Sequence, residues 1–105
     1  MDYTSAMFDI VQSEAYKVWF AKLKDRQAIA RINARIRRIS ESGHFGDTKS
    51  VGGSVNELRV DCGPGYRIYY LRRGSIMVVL LAGGDKSTQA GDIKRATEIA
   101  REWKD

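Results

Sequence analysis

The chain has 105 residues, of which 43% are hydrophobic and 30% charged, with a net charge of +5 and a pI near 9.6. That length fits one domain, residues 1–105, and the balance excludes a disordered chain. The longest apolar run, residues 76–82, is far too short for the roughly 20 residues that a bilayer-spanning helix needs. A basic surplus favours a polyanionic partner, either nucleic acid or an acidic protein segment, although mild basicity also serves solubility alone. The single cysteine, Cys62, cannot form an internal disulfide and suits a reducing cytoplasm. No charged start precedes an apolar stretch, so no secretory leader is expected.

Residues 5–12 read as a first strand, with Ala6, Phe8 and Ile10 alternating against Met7, Asp9 and Val11. Ser13 is placed to cap a short amphipathic helix, with Glu14 in its first turn and Val18, Trp19 and Leu23 apolar. Asp25 can cap a second, longer helix, in which Ile29, Ile32, Ile36 and Ile39 step by three and four along one face. Gly43 ends it. Arg31, Arg35 and Arg38 share another side of this helix, which is either a phosphate-tracking surface or a solvated face. Residues 44–54 form a loop with a short edge strand at 47–51. Three strands follow, at 55–62, 66–72 and 75–82, linked by the turn signals Gly63-Pro64-Gly65 and Arg73-Gly74. The unbroken apolar run from Val78 to Leu81 predicts a central strand covered on both faces. Residues 88–103 close the chain as a helix capped by Ser87 or Thr88, with Ile93, Ala96, Ala100 and Trp103 as its apolar stripe. The expected fold is α+β: an N-terminal strand and helical hairpin packed on a curled antiparallel sheet with a C-terminal helix.

Several chemistries are excluded by residue supply. One histidine, His44, and one cysteine cannot build a zinc site of usual spacing. Asp47, Asp61 and Asp85 are scattered rather than clustered as in a magnesium nuclease. The run Gly83-Gly84-Asp85-Lys86-Ser87 lacks the spacing of a P-loop. With His44 the sole histidine, no Ser-His-Asp or Cys-His arrangement forms. Neither cofactor nor metal is expected.

Cations and tyrosines on the sheet remain. Along residues 55–62, Val55, Glu57, Arg59 and Asp61 face one way, while Asn56, Leu58, Val60 and Cys62 form the core side. Along 66–72, Tyr66, Ile68 and Tyr70 oppose Arg67, Tyr69 and Leu71. A two-residue loop at Gly63-Pro64 would pair Val60 with Arg67 and turn that arginine into the core. A three-residue loop, Gly63 to Gly65, pairs Val60 with Ile68 and Arg59 with Tyr69, and keeps apolar residues together. This second register is expected. It sets Arg59, Arg67 and Tyr69 on one face beside Glu57 and Asp61, with Lys86 reaching in from the sheet's end.

Such a face suits RNA. Arginines grip phosphate and stabilise a pentavalent transition state, and a tyrosine such as Tyr69 can stack on an unpaired base. RNA carries its own nucleophile, the 2′-hydroxyl, so the protein need only move protons and neutralise charge. A lysine set among arginines can serve as a base. A second reading stands beside this one: Glu57–Arg59 along one strand and Asp61–Arg67 across two as ion pairs on a solvated sheet. Tyr66 and Tyr70 read as core, and His44 as a structural loop residue.

Three runs of residues, in order, resemble a known family. Gly52-Gly53-Ser54-Val55-Asn56-Glu57-Leu58-Arg59 resembles its G-x-x-x-x-ELR stretch. Gly63-Pro64-Gly65-Tyr66-Arg67-Ile68-Tyr69-Tyr70 resembles its GPGYR strand. Leu80 to Gln89, followed by Asp92-Ile93 and Ala96, resembles its GGDKxxQxxDIxxA ending. Over nearly its whole length the chain is similar to HigB-like addiction-module killer proteins of the RelE/ParE superfamily. The resemblance implies a RelE-like fold and a cytoplasmic toxin of a type II toxin–antitoxin system. It implies a cognate helix-turn-helix antitoxin, and contact with operator DNA only through the antitoxin complex. It further implies ribosome-dependent endonuclease action on mRNA, with Arg59, Arg67 and Lys86 at the positions that carry cleavage. Many such ribonucleases also carry a tyrosine or histidine near the C-terminus. Here none follows Tyr70, which leaves Tyr69 or Lys86 for proton transfer. Two alternatives stay open: a ParE-like, non-catalytic inhibitor of DNA gyrase, and an inert partner that only binds its regulator.

Overall fold

Capping chemistry sets the helix boundaries. In the computed structural model, which describes residues 7–104, the Ser13 hydroxyl accepts the Tyr16 N–H and starts helix α1 (Glu14–Lys22). Asp25 accepts the Ala28 N–H and starts helix α2 (Arg26–Ser42), and Gly43 ends it in the left-handed conformation at φ 73°. Ahead of them lies strand β1 (Asp9–Gln12). The predicted first strand was longer, and its residues 5 and 6 lie outside the described residues. Strands β2 (Thr48–Gly52), β3 (Val55–Val60), β4 (Tyr66–Arg73) and β5 (Met77–Asp85) follow, then a short 3-10 turn (Lys86–Thr88) and helix α3 (Gln89–Glu102). In α1 the buried residue is Tyr16, whereas Val18, expected in the apolar stripe, is exposed.

The five strands form one sheet in the order β1-β5-β4-β3-β2. β2 to β5 make the expected antiparallel meander. β1 adds to it in parallel, with Asp9 opposite Met77 and Gln12 opposite Leu80, so the sheet is mixed rather than wholly antiparallel. The reason lies at Ser13: its N–H donates to Leu80 O and its hydroxyl to Leu81 O, which locks the end of β1 along the centre of β5.

Register at the β3–β4 turn differs from the three-residue-loop expectation. Val60 pairs with Tyr66, Arg59 with Arg67 and Glu57 with Tyr69, instead of Val60 with Ile68. The turn is wider because Gly65 N–H bonds to Cys62 O, which draws Asp61 and Cys62 into it. The displacement is two residues, so every side chain keeps its predicted face.

The sheet has an apolar layer on each side. Toward the hairpin lie Tyr16, Ile32, Ile39, Leu58, Ile68, Val78 and Leu80. Toward α3 lie Val55, Tyr69, Leu71, Val79, Leu81, Ala96 and Ala100. β5 therefore buries both of its faces, as its unbroken apolar run predicts.

Candidate nucleic-acid interface

The observed register sets Arg59 and Arg67 directly opposite each other on adjacent strands. Together with Lys86, Asp47, Asp61 and the Gly63-Pro64-Gly65 turn they line an open groove of about 370 Å³. Gly65 lies against Lys86: a Cβ built there would stand 3.8 Å from the lysine's Cβ. The three cations singled out in the sequence thus share one surface.

Two like charges opposite each other on a sheet repel unless something lies between them. Here that is Glu57, fully buried at 0% exposure. Its Oε1 stands 3.6 Å from Arg59 Nε, and its Oε2 stands 3.5 Å from Arg67 Nε. Both contacts lie outside hydrogen-bond geometry, so Glu57 Oε1 and the two Nε atoms are buried without a hydrogen bond. Oε2 is held differently. The Gln89 amide donates to it at 2.7 Å and the Tyr69 hydroxyl at 3.3 Å. Gln89, the first residue of α3, stands in the third motif run without an assigned partner. Nothing local shows that a residue 32 positions away in the chain will meet Glu57.

Tyr69 corrects an expectation. Its ring is fully buried in the layer under α3, so it is no platform for a nucleobase. Burial raises its pKa, and the neighbouring Glu57 carboxylate raises it further. The reason is α3, whose Ala96 and Ala100 stripe covers the sheet face that alternation alone left open to solvent.

The helix arginines divide. Arg35 turns inward and donates to Arg59 O at 2.6 Å, Phe45 O at 2.8 Å and Asp47 O at 3.3 Å, which ties α2 to β3 and to the loop before β2. Burial lowers its pKa, while Asp47 acts the other way. It is a structural clamp, in contrast to its expected place in an RNA-facing row. Arg31 is exposed and donates to Asp61 O at 3.1 Å, beside the groove, and Arg38 is exposed. The clamp also fixes Asp47, whose carboxylate lies 3.7 Å from Arg59 Nε. The sequence noted Asp47 as an isolated acid, since its partner lies across a loop.

At the other rim, Asp85 Oδ1 accepts both the N–H and the hydroxyl of Ser87, which starts the turn that carries Lys86. These bonds lower the Asp85 pKa. Thr88, expected as a cap for α3, makes no side-chain cap bond. Its hydroxyl instead donates to Asp92 at 2.5 Å. Among the described residues, no group of three or more His, Cys, Asp or Glu side chains could hold a metal ion, and no helix is long and apolar enough to cross a membrane. His44 is exposed in the loop after α2, away from the groove lining.

A mixed five-stranded sheet with a hairpin on one face and a terminal helix on the other is a RelE-like fold. The free-state structure of E. coli toxin RelE, in a variant with two arginines changed to alanine, superposes with a TM-score of 0.71 at 17% identity, over 93% of this chain and 99% of that one. The chain also belongs to the family of a Haemophilus influenzae protein described as uncharacterized, being 52% identical to it over 84 residues, 80% of this chain and 84% of that protein. No family model matches the chain.

Proposed function

We propose that this chain is the toxin of a type II toxin–antitoxin pair and acts as a ribosome-dependent mRNA endonuclease, in the HigB-like branch of the RelE/ParE superfamily. The observation that carries the reading is the convergence of Arg59, Arg67 and Lys86 on one open groove of about 370 Å³. The RelE-like fold supports it, as do the three motif runs. In the reaction, the two guanidinium groups bind the non-bridging oxygens of the scissile phosphate and neutralise charge that builds up in the transition state. The 2′-oxygen bonds to phosphorus, the bond from phosphorus to the 5′-oxygen breaks, and a cyclic phosphate and a 5′-hydroxyl result. Lys86 assists the leaving oxygen. The carboxylates of Asp47 and Asp61 line the same groove and can take the 2′ proton. Tyr69 has no part, because its hydroxyl is buried on Glu57. Charge on arginine and lysine does the work, and no metal is invoked.

The site of action is the cytoplasm, on ribosome-bound messages, and exposed Arg31 and Arg38 add phosphate contacts. A helix-turn-helix antitoxin neutralises the toxin and brings the complex to operator DNA. The test is primer extension on a translated mRNA after induction without the antitoxin. Wild type should cut within translated codons, and Arg67→Ala should cut about 100-fold less. Equal cleavage by both would remove Arg67 from the mechanism. Intact mRNA together with inhibited gyrase supercoiling would move the protein to the ParE-like class.

A further inference from the structure

We propose that Glu57 is the positioning residue of the groove: it holds Arg59 and Arg67 by their Nε sides so that the Nη ends of both reach one phosphodiester. The inference rests on the ribonuclease reading above for its substrate, and on the geometry alone for its arrangement of charges.

Stability does not account for this carboxylate. A carboxylate buried at 0% exposure is costly, and an apolar side chain of similar volume often serves a fold as well or better. Nor is Glu57 paired in the way that gives a strong ion pair. An arginine–carboxylate fork would use two parallel hydrogen bonds to one guanidinium. Glu57 instead divides its oxygens, Oε1 toward Arg59 Nε at 3.6 Å and Oε2 toward Arg67 Nε at 3.5 Å. Among the described residues, the carboxylate contacts of both guanidinium groups run through Nε rather than through the Nη ends. Those ends carry most of each group's donors, and both residues line the groove. One carboxylate placed between two guanidinium groups lessens their mutual repulsion without occupying either one's Nη pair.

Two neutral donors keep the carboxylate from turning to one arginine alone. The Gln89 amide and the Tyr69 hydroxyl both bond to Oε2. Rotation toward a fork with Arg59 would break both bonds and release Arg67. Gln89 begins α3 and Tyr69 lies beneath it, so the aim of the arginines depends on the seating of that helix's first turn.

Two measurements on the full chain test this. The first is solvent exchange of the arginine Nε protons by NMR, with Arg59 and Arg67 assigned through Arg59→Lys and Arg67→Lys. In wild type both should exchange at least about tenfold more slowly than exposed arginines. Glu57→Gln should bring both to the exposed rate. The second is cleavage of ribosome-bound mRNA, where Glu57→Gln should lower kcat about 100-fold with KM little changed. Should Glu57→Gln not fold, Gln89→Leu leaves the carboxylate in place and should lower kcat about tenfold. Wild-type cleavage by Glu57→Gln, or Nε protons that stay protected in it, would overturn the proposal. If wild type cleaves no mRNA, the ribonuclease reading fails, and the exchange measurement still decides whether Glu57 sets the two arginines.

Discussion

Arg35 and Arg38 lie one turn apart on the same helix and meet different surroundings. Arg35 donates to three backbone carbonyls from two other segments, whereas Arg38 is exposed. Hydrogen bonds from a charged donor contribute more than neutral ones, and two of the carbonyls left behind, those of Arg59 and Phe45, would be partly buried. Arg35→Ala should therefore lower the unfolding free energy by roughly 2 to 3 kcal/mol, whereas Arg38→Ala should stay within about 0.5 kcal/mol. Urea denaturation of both variants checks the pair, and equal values would remove the clamp. Arg35→Lys should recover only part of the loss, because a single ammonium cannot span three acceptors as a guanidinium fork does. The helical spacing of Arg31, Arg35 and Arg38 was legible in the sequence. Which of them turns inward was not, because the acceptors at Phe45, Asp47 and Arg59 come from a loop and a strand up to 24 positions away. Tyr69 teaches the same point: alternation gives its face, but only α3 shows that the face is covered.

Elements carry a second kind of information. The caps at Ser13, Asp25 and Gly43 could be read directly, because each is a local bond or a local backbone conformation. Strand register could not. A one-residue slip would have driven Arg67 into the core and was excluded by polarity. The actual two-residue displacement moves no side chain across the sheet, so the sequence pattern is blind to it. The two registers differ for function, since only the observed one sets Arg59 against Arg67. The end of β5 was also underestimated. Gly83 and Gly84 resemble a turn in sequence, yet both lie within the strand, where the lack of a side chain lets other elements approach. A Cβ on Gly83 would overlap the Trp19 ring of α1, and one on Gly84 would overlap the Asp92 carboxylate of α3. Gly83→Ala should thus push α1 off the sheet and destabilise the fold by about 1 to 3 kcal/mol. Gly91→Ala, with open space around its site, is the control and should be neutral or stabilising. A Gly83→Ala variant as stable as wild type in chemical denaturation would mean that Trp19 repacks freely.

On the scale of the whole molecule, one sheet separates two apolar layers, and each holds a tyrosine whose ionisation opposes folding. Tyr16 lies on the hairpin side and Tyr69 on the α3 side, both almost fully buried. Burial raises both pKa values above the ordinary tyrosine value, and at Tyr69 the Glu57 carboxylate adds to the effect. A folded pKa above the unfolded one means that the native state keeps its protons longer. The stabilisation is complete below about pH 10, the unfolded tyrosine value, and is lost as pH rises toward the folded values. Tyrosinate absorbance of these two residues should therefore appear only together with loss of structure, so the optical titration and the circular dichroism transition should coincide. Tyr16 sharpens the test, because its hydroxyl is buried with no hydrogen-bond partner and its burial is the sole cause of its shift. Tyr16→Phe removes both the unsatisfied hydroxyl and the ionisation. It should raise stability at neutral pH by about 1 kcal/mol and move the alkaline unfolding midpoint upward. Glu57→Gln should leave that midpoint closer to wild type, since burial remains the larger cause at Tyr69. Reversible ionisation of Tyr16 near its ordinary value, with circular dichroism unchanged, would show that the hairpin layer admits water and is not a closed core.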